Sequence, residues 1–494
     1  MKKIKSLFSL TVSGLLLAGC GYNPPEPAQD PTNPRVPPVA GTADFSKYVA
    51  VGNSLTAGFM DNALYLEGQQ NAYPVILAER MKMVNGQAPF NFPALGAAGG
   101  AGFGQFVPGT TTPVGRLRFI LPACGPNPAA TKTLGLAPAP IVPGEALDPY
   151  PGDKAALNNF SAPGTKIYHA LLPGYGLNPT QGNPFYWRFA SASTASLIGD
   201  AVAAKGTFFT YWLGSNDVLS YATTGGSGNP NPGTNPALYG PNDMTDPQVF
   251  AGVLQSSLDA LFSTGANTKG AIANIPEVER IPYFQLINAG LTSGGDRAVL
   301  PFNLSEAQAA GLNAAYARLG PLAAGVNFKA GKVNYPLITT ATGLRHMDPA
   351  KDFLTLVTPQ DSLLSGPISV CNPLGQRAGW GITKPVPGQF VLDAAEVGFI
   401  RERVTAYNAI IQQQVSNRGD RLVLVDTNAL LGSLNGVQNN IAPGGYFSLD
   451  GVHPNPRGQA IIANEFIKAI NAKFGSTLPP VDPRLYRQNI LPAP

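Results

Sequence analysis

Short apolar runs that stop at a glycine, with helical stripes between them, leave this chain few ways to fold. Residues 48–51 (Tyr-Val-Ala-Val) end at Gly52, and residues 207–213 (Thr-Phe-Phe-Thr-Tyr-Trp-Leu) end at Gly214. These runs read as strands buried on both faces rather than half-exposed ones. Residues 270–275, 353–357 and 422–425 are further strand candidates. The helical stripes are equally plain. Tyr73, Ile76, Leu77, Met81 and Val84 recur at three and four, with Pro74 in the first turn. Ser305 and Gln308 suit a capping box ahead of Leu312, Tyr316 and Leu319. Val397, Ile400, Val404, Tyr407 and Ile411 form another stripe, and Ile462, Phe466, Ile470 and Phe474 the last. Strands alternating with helices predict an α/β chain whose parallel sheet is covered on both sides.

Residues 96–155, 222–247 and 361–390 interrupt this alternation and are rich in Gly, Pro, Asn and Ser, as insertions would be. With 56 Gly and 48 Pro in 494 residues, long irregular excursions are unavoidable, yet a 44% hydrophobic content still supplies a large core. One body over residues 42–480 is expected, with a tail at 481–494. Charged residues make up only 13%, about half the usual share.

The first twenty residues stand apart. Lys2, Lys3 and Lys5 precede an apolar stretch, residues 7–17, that ends in Leu17-Ala18-Gly19-Cys20. This resembles a bacterial lipoprotein signal, with an ordinary secretion signal as the alternative. The resemblance implies removal of residues 1–19, acylation of Cys20 and membrane attachment through its acyl chains. Residues 20–41 then form a Pro-rich tether. Gly21 is not the aspartate of an inner-membrane retention signal, so an outer-membrane location is expected, facing either side. Three lysines leave with the signal, taking the formal balance from +4 to +1. Nothing in that balance points to nucleic acid. Cys124 and Cys371 then remain, and in an exported protein they are expected to pair, stapling two insertions; two separately buried thiols are the alternative. There is no Cys-x-x-Cys and no His-Glu-x-x-His, and His169, His346 and His453 are scattered, so no metal or other cofactor is expected.

Two segments carry chemistry. Gly52-Asn53-Ser54-Leu55-Thr56-Ala57-Gly58 follows the first strand, and Asp450-Gly451-Val452-His453-Pro454 lies near the other end. A hydroxyl nucleophile needs an imidazole to take its proton and an acid to orient the imidazole. In open parallel sheets such groups gather beyond the carboxyl ends of strands, where Ser54 falls. A serine here could equally cap a helix.

The Gly-x-Ser-x-Gly elbow of another hydrolase class is not found. Gly52 to Gly58 instead resembles the Gly-Asp-Ser-Leu-x-x-Gly block of the SGNH, or GDSL, esterase-lipase family. Asn159-Phe160-Ser161-Ala162-Pro163-Gly164-Thr165 resembles that family's second block and nominates Gly164; a plain Pro-Gly turn, or residues 95–104 as the true location, are the alternatives. Gly214-Ser215-Asn216-Asp217 matches Gly-x-Asn-Asp and nominates Asn216. Asp450 and His453 match Asp-x-x-His. Asn53 departs from the family's aspartate.

The resemblance implies a three-layer α/β/α sandwich on a flavodoxin-like sheet. It also implies a carboxylester hydrolase in which Ser54, His453 and Asp450 form the triad, and Ser54, Gly164 and Asn216 hold the oxyanion. Its substrate would be an acyl ester, a lipid or an acetylated glycan. His346 and Asp426 are reserve catalytic candidates. Two other readings stay open: a non-catalytic surface lipoprotein that binds glycan or nutrient, and an acyltransferase using the same triad.

Overall fold

Five strands lie side by side and run parallel: β1 (Tyr48–Gly52), β2 (Asn159–Ser161), β3 (Phe208–Trp212), β4 (Lys269–Ala273) and β5 (Leu422–Val425). The computed structural model describes residues 37–85, 89–120, 137–292, 302–359 and 379–489, and all that follows concerns the unit Pro38–Pro494. Cys20, Cys124 and Cys371 lie outside the described residues. The spatial order is β2-β1-β3-β4-β5, the flavodoxin-like order of a doubly wound sheet. Gly52 sits between Ser161 and Trp212 in register, so the carboxyl ends of β1, β2 and β3 are level.

Side chains alternate across the sheet, and each face buries a separate core. Tyr48, Ala50, Phe208, Trp212, Ala271 and Ala273 face one side. There they pack under α2 (Tyr73–Asn85) and α7 (Pro456–Phe474), where Tyr73 stacks on Phe466 with ring centres 4.6 Å apart. Val49, Val51, Phe209, Tyr211 and Ile272 face the other side. They meet α3 (Leu197–Ala203), α5 (Pro247–Phe262) and α6 (Ala394–Asn417), where Phe250 stacks on Tyr407 at 4.1 Å. Each large side chain so buried contributes roughly 1.5–3 kcal/mol. The result is a three-layer α/β/α sandwich, with α1 (Ser54–Ala57) and α4 (Asn216–Thr223) at the carboxyl edge.

One strand expectation needs correcting, and one strand was not expected at all. Phe353–Leu354 is a strand, but it pairs antiparallel with Val391–Leu392, outside the parallel sheet. Its apolar run does not continue: Thr355 to Thr358 turns back, and Val357 is exposed. The pair belongs to a satellite lobe between β4 and α6, with its own small core of Ile338, Met347, Leu354, Val386 and Val391. In that lobe the expected capping box forms, with Ser305 and Gln308 opening helix Glu306–Ala317. The unexpected strand is β2, which no apolar run announces. As an edge strand it is only Asn-Phe-Ser, and its Asn159 amide donates to the Thr56 carbonyl (3.1 Å), bracing the helix that carries Ser54.

Residues 481–489 stay on the body. The Asn489 amide donates to the carbonyls of Ile441 and Phe447 (2.8 Å each).

Candidate active site

The strand order turns at β1, and the crevice between β1 and β3 at the carboxyl edge is where such sheets hold their ligands. Gly52 ends β1 inside that crevice. A Cβ there would overlap the Thr56 hydroxyl and stand 2.9 Å from the Trp212 carbonyl oxygen, so only glycine lets the chain turn directly from strand into α1. Asn53 caps that short helix. Its Oδ1 accepts the Leu55 N–H at 3.1 Å, and the residue is fully buried. Asparagine and aspartate cap helices equally well, so Asn53 can serve in the place of an aspartate. Gly58 closes α1 at φ +79°.

Ser54 and His453, 399 residues apart, meet here. His453 Nε2 lies 2.8 Å from Ser54 Oγ, and Nδ1 lies 2.9 Å from Asp450 Oδ2. The acid is held from several sides. Its Oδ1 accepts the backbone N–H groups of Val452 and His453 (2.8 Å each), and its Oδ2 accepts that of Asn62 (2.8 Å). Burial alone would raise this carboxyl, but His453, the backbone N–H of His453 and that of Asn62 together hold it below the ordinary carboxylate range. The Phe59 ring stands 4.9 Å from the imidazole.

Three supports of this contact were invisible to sequence reading. Gln459, fully buried on α7, accepts the Tyr73 N–H (3.0 Å) and donates to the Leu55 carbonyl (3.2 Å), tying the His453 end of the chain to α1. Asp61 accepts from Tyr65 Oη (2.7 Å) and the Leu449 N–H (2.9 Å), while its own N–H donates to Ser448 Oγ (2.9 Å). Burial, opposed by those bonds and assisted by the Asp450 charge, pushes the Asp61 carboxyl up to about 6. Both Asp61 (φ +53°) and Asn62 (φ +59°) adopt the left-handed region to reach the acid loop. Third, the Tyr283 N–H donates to the Gly451 carbonyl at 2.9 Å, so the satellite lobe's approach buttresses the loop. Gly451 has φ +69°, and a Cβ on it would stand 2.9 Å from Leu356 Cδ2 and 3.0 Å from Tyr283 N. Gly451→Ala is therefore expected to lower stability by about 1–3 kcal/mol, measurable by urea unfolding.

On the β3 side, Asn216 opens α4 and its Nδ2 donates to the Thr165 carbonyl (3.0 Å). One amide hydrogen remains for another acceptor. The neighbouring Asp217 is fully buried. It takes the Ile167 N–H at 2.9 Å and the Thr245 hydroxyl, and burial pushes it up to about 6 against the pull of those two bonds. Residues 165–167 are thus pinned to α4. Gly164 precedes them, three residues beyond β2, exposed and at φ +80°, with Asn183 Nδ2 3.9 Å from where a Cβ would be. Ser54, Asn216 and His453 line one groove, and Gly164 is not among its lining residues. The competing run is pinned elsewhere: the Leu95 N–H donates to Gln69 Oε1 (2.7 Å) and the Gly102 N–H to Glu145 Oε2 (2.8 Å).

The reserve candidates stand in structural surroundings of their own. His346 lies on a hairpin of the satellite lobe, Nδ1 2.9 Å from the Tyr335 carbonyl and Nε2 accepting the Asn327 N–H (3.2 Å). Asp426 caps helix Thr427–Gly432 through the Ala429 N–H (2.9 Å). His169 stacks on Tyr175 with centres 4.5 Å apart, and its Nδ1 accepts the Lys166 N–H (3.2 Å). Burial first, then the Lys166 charge, pushes His169 down to about 4. A histidine lowered by folding favours the native state above its unfolded value near 6.5, and that advantage disappears as pH falls toward 4. The stability difference between wild type and His169→Phe is expected to shrink by up to about 2 kcal/mol from pH 7 to pH 4.5, read from calorimetric melts. Among the described residues no group of three or more His, Cys, Asp or Glu sits where it could hold a metal ion.

No family model matches the chain, and no curated protein does. Among solved structures, it is similar to the crystal structure described as a putative GDSL-like lipase from Parabacteroides merdae ATCC 43184. The identity is 11%, the alignment covers 87% of this chain and 98% of that one, and the TM-score is 0.29. So loose a superposition says nothing about activity.

Proposed function

We propose that this protein is a serine carboxylester hydrolase of the SGNH (GDSL) type. The observation that carries the reading is the unbroken run Ser54 Oγ, His453 Nε2, His453 Nδ1, Asp450 Oδ2, with links of 2.8 and 2.9 Å, at the carboxyl edge of β1. His453 takes the Ser54 proton as Oγ attacks the ester carbonyl carbon. The negative charge on the carbonyl oxygen is met by the N–H of Ser54 and the free amide hydrogen of Asn216, each donor worth about 3 kcal/mol; Gly164, outside the residues that line the groove, is nominated as a third donor by its sequence block alone. Collapse expels the alcohol, which receives the proton from His453, and leaves an acyl-Ser54 ester. Water then repeats the sequence, giving its proton to His453 and releasing the acid. Asp450 holds the imidazole in the tautomer with hydrogen on Nδ1 and stabilises it when charged.

The N-terminal segment suits a Cys20 lipid anchor that delivers this body to the outer membrane, with residues 20–41 as spacer. The test of the catalytic reading is covalent. A fluorophosphonate probe, which loses fluoride to an activated serine, is expected to label the body on the Ser54 peptide, as read by mass spectrometry, and to leave Ser54→Ala unlabelled. Absence of labelling in the wild type would overturn the proposal in favour of a binding lipoprotein.

A further inference from the structure

The groove that begins at Ser54 continues along the carboxyl edge of the sheet. Its lining residues follow the strand ends in spatial order: Leu55 after β1, Leu219 after β3, Val278 and Ile281 after β4, Leu431 and Leu434 after β5. Among the described residues, no Asp, Glu, Lys or Arg lines it. Asn53, Ser54, Ser215, Asn216 and His453 belong to the β1 and β3 end, beside the triad. Toward β5, the Thr427 hydroxyl is already engaged with the Asn274 carbonyl, and the Tyr446 hydroxyl with the Gln438 amide (3.1 Å).

We infer that this groove is the acyl site, and that the substrate is an ester of a straight, uncharged, medium-length acid of about eight carbons rather than an acetylated glycan. The inference rests on the esterase reading above and deepens it. Its length follows from the sheet. Neighbouring strands stand about 4.8 Å apart, so the three steps from β1 to β5 span roughly 14 Å. A zigzag chain with bonds of about 1.52 Å and angles near 111° advances roughly 1.25 Å per carbon, so about eight carbons reach from Ser54 past β3 to the β4 wall. The chemistry follows from the lining. Sugar hydroxyls placed against Val278, Ile281 and Leu431 would lose water without gaining partners. A methylene buried there favours binding about threefold to fourfold.

The test is kcat/KM of the wild-type protein on p-nitrophenyl acetate, butanoate, hexanoate and octanoate. A rise of about twofold to fourfold per added methylene is expected. Val278→Trp, which fills the β4 wall where the eighth carbon ends, should lower the octanoate-to-acetate ratio about 10-fold or more. Ile281→Ala removes wall contact without adding bulk and should lower the same ratio about threefold. A wild-type profile flat or falling from acetate to octanoate, or a ratio unchanged in both variants, would overturn the acyl site while leaving the esterase intact. Loss of the esterase itself reads differently: no ester at all is hydrolysed, or Ser54→Ala matches the wild type on acetate.

Discussion

Ser54→Ala is expected to lower kcat/KM for a p-nitrophenyl ester by about 10⁴-fold or more. In the proposed mechanism the side chain supplies the only atom that bonds to the acyl carbon, so its loss would remove the covalent route entirely. What survives is the oxyanion cradle and whatever binding the groove provides, and such remnants still outpace uncatalysed hydrolysis in serine hydrolases. The substitution is mild for the fold. Ser54 Oγ bonds to His453 Nε2, while the cap of α1 belongs to Asn53 and the backbone bond to the Phe59 N–H uses the Ser54 carbonyl. A drop in rate with unchanged melting temperature is therefore the expected pair of results. Equal rates for the two proteins would refute the nucleophile assignment.

Asp450→Asn should lower kcat by about 10⁴-fold near neutral pH, again by steady-state hydrolysis. Here the reason is the number of donors aimed at one carboxylate. Val452 N–H, His453 N–H, Asn62 N–H and the imidazole Nδ1 all converge on its two oxygens. An amide of the same shape offers one oxygen and one NH₂. Wherever the NH₂ points, it faces another N–H. If it faces Nδ1, the imidazole must carry its hydrogen on Nε2 and cannot take the Ser54 proton. If it faces Val452 and His453, the turn loses two bonds. This variant, unlike Ser54→Ala, should also melt earlier, by an amount that reflects a buried acceptor lost to backbone donors. A rate within tenfold of wild type would remove Asp450 from the triad.

Some of this could be read along the chain because it is local. β1, β3 and β5 were legible because each is a short apolar run, and the stripes of α2, α6 and α7 because helices repeat at three and four. The Asp450–His453 pair was legible for a related reason: both residues lie within one turn, closed by the Asp450 side chain onto the backbone N–H groups of residues 452 and 453. β2 was hidden because its residues serve the site. Asn159 and Ser161 are polar at positions where a buried strand ordinarily carries Val or Ile, and Asn159 reaches for the Thr56 carbonyl. Phe353–Leu354 misled for the opposite reason, since apolar residues also fill a satellite core. Asp61 and Gln459 gave no signal at all, and Asp217 was marked only as the last residue of the Gly-x-Asn-Asp match, with nothing to show its burial. A buried polar residue is identified by its partners, and theirs lie far along the chain or in loops without periodicity.

Taken alone, the amino-acid order determined that the apolar runs of β1, β3 and β5 extend, that the stripes of α2, α6 and α7 coil, where Gly52 must turn and which acid holds which imidazole, because those outcomes depend on neighbours within a few residues. The meeting of Ser54 with His453 was decided only in three dimensions. It requires β1 to sit between β2 and β3, α7 to pack on the Tyr48 face, and Gln459 to bridge Tyr73 and Leu55. A contact across 399 residues has no period to betray it, and packing of the two sheet faces is what brings its ends within 2.8 Å.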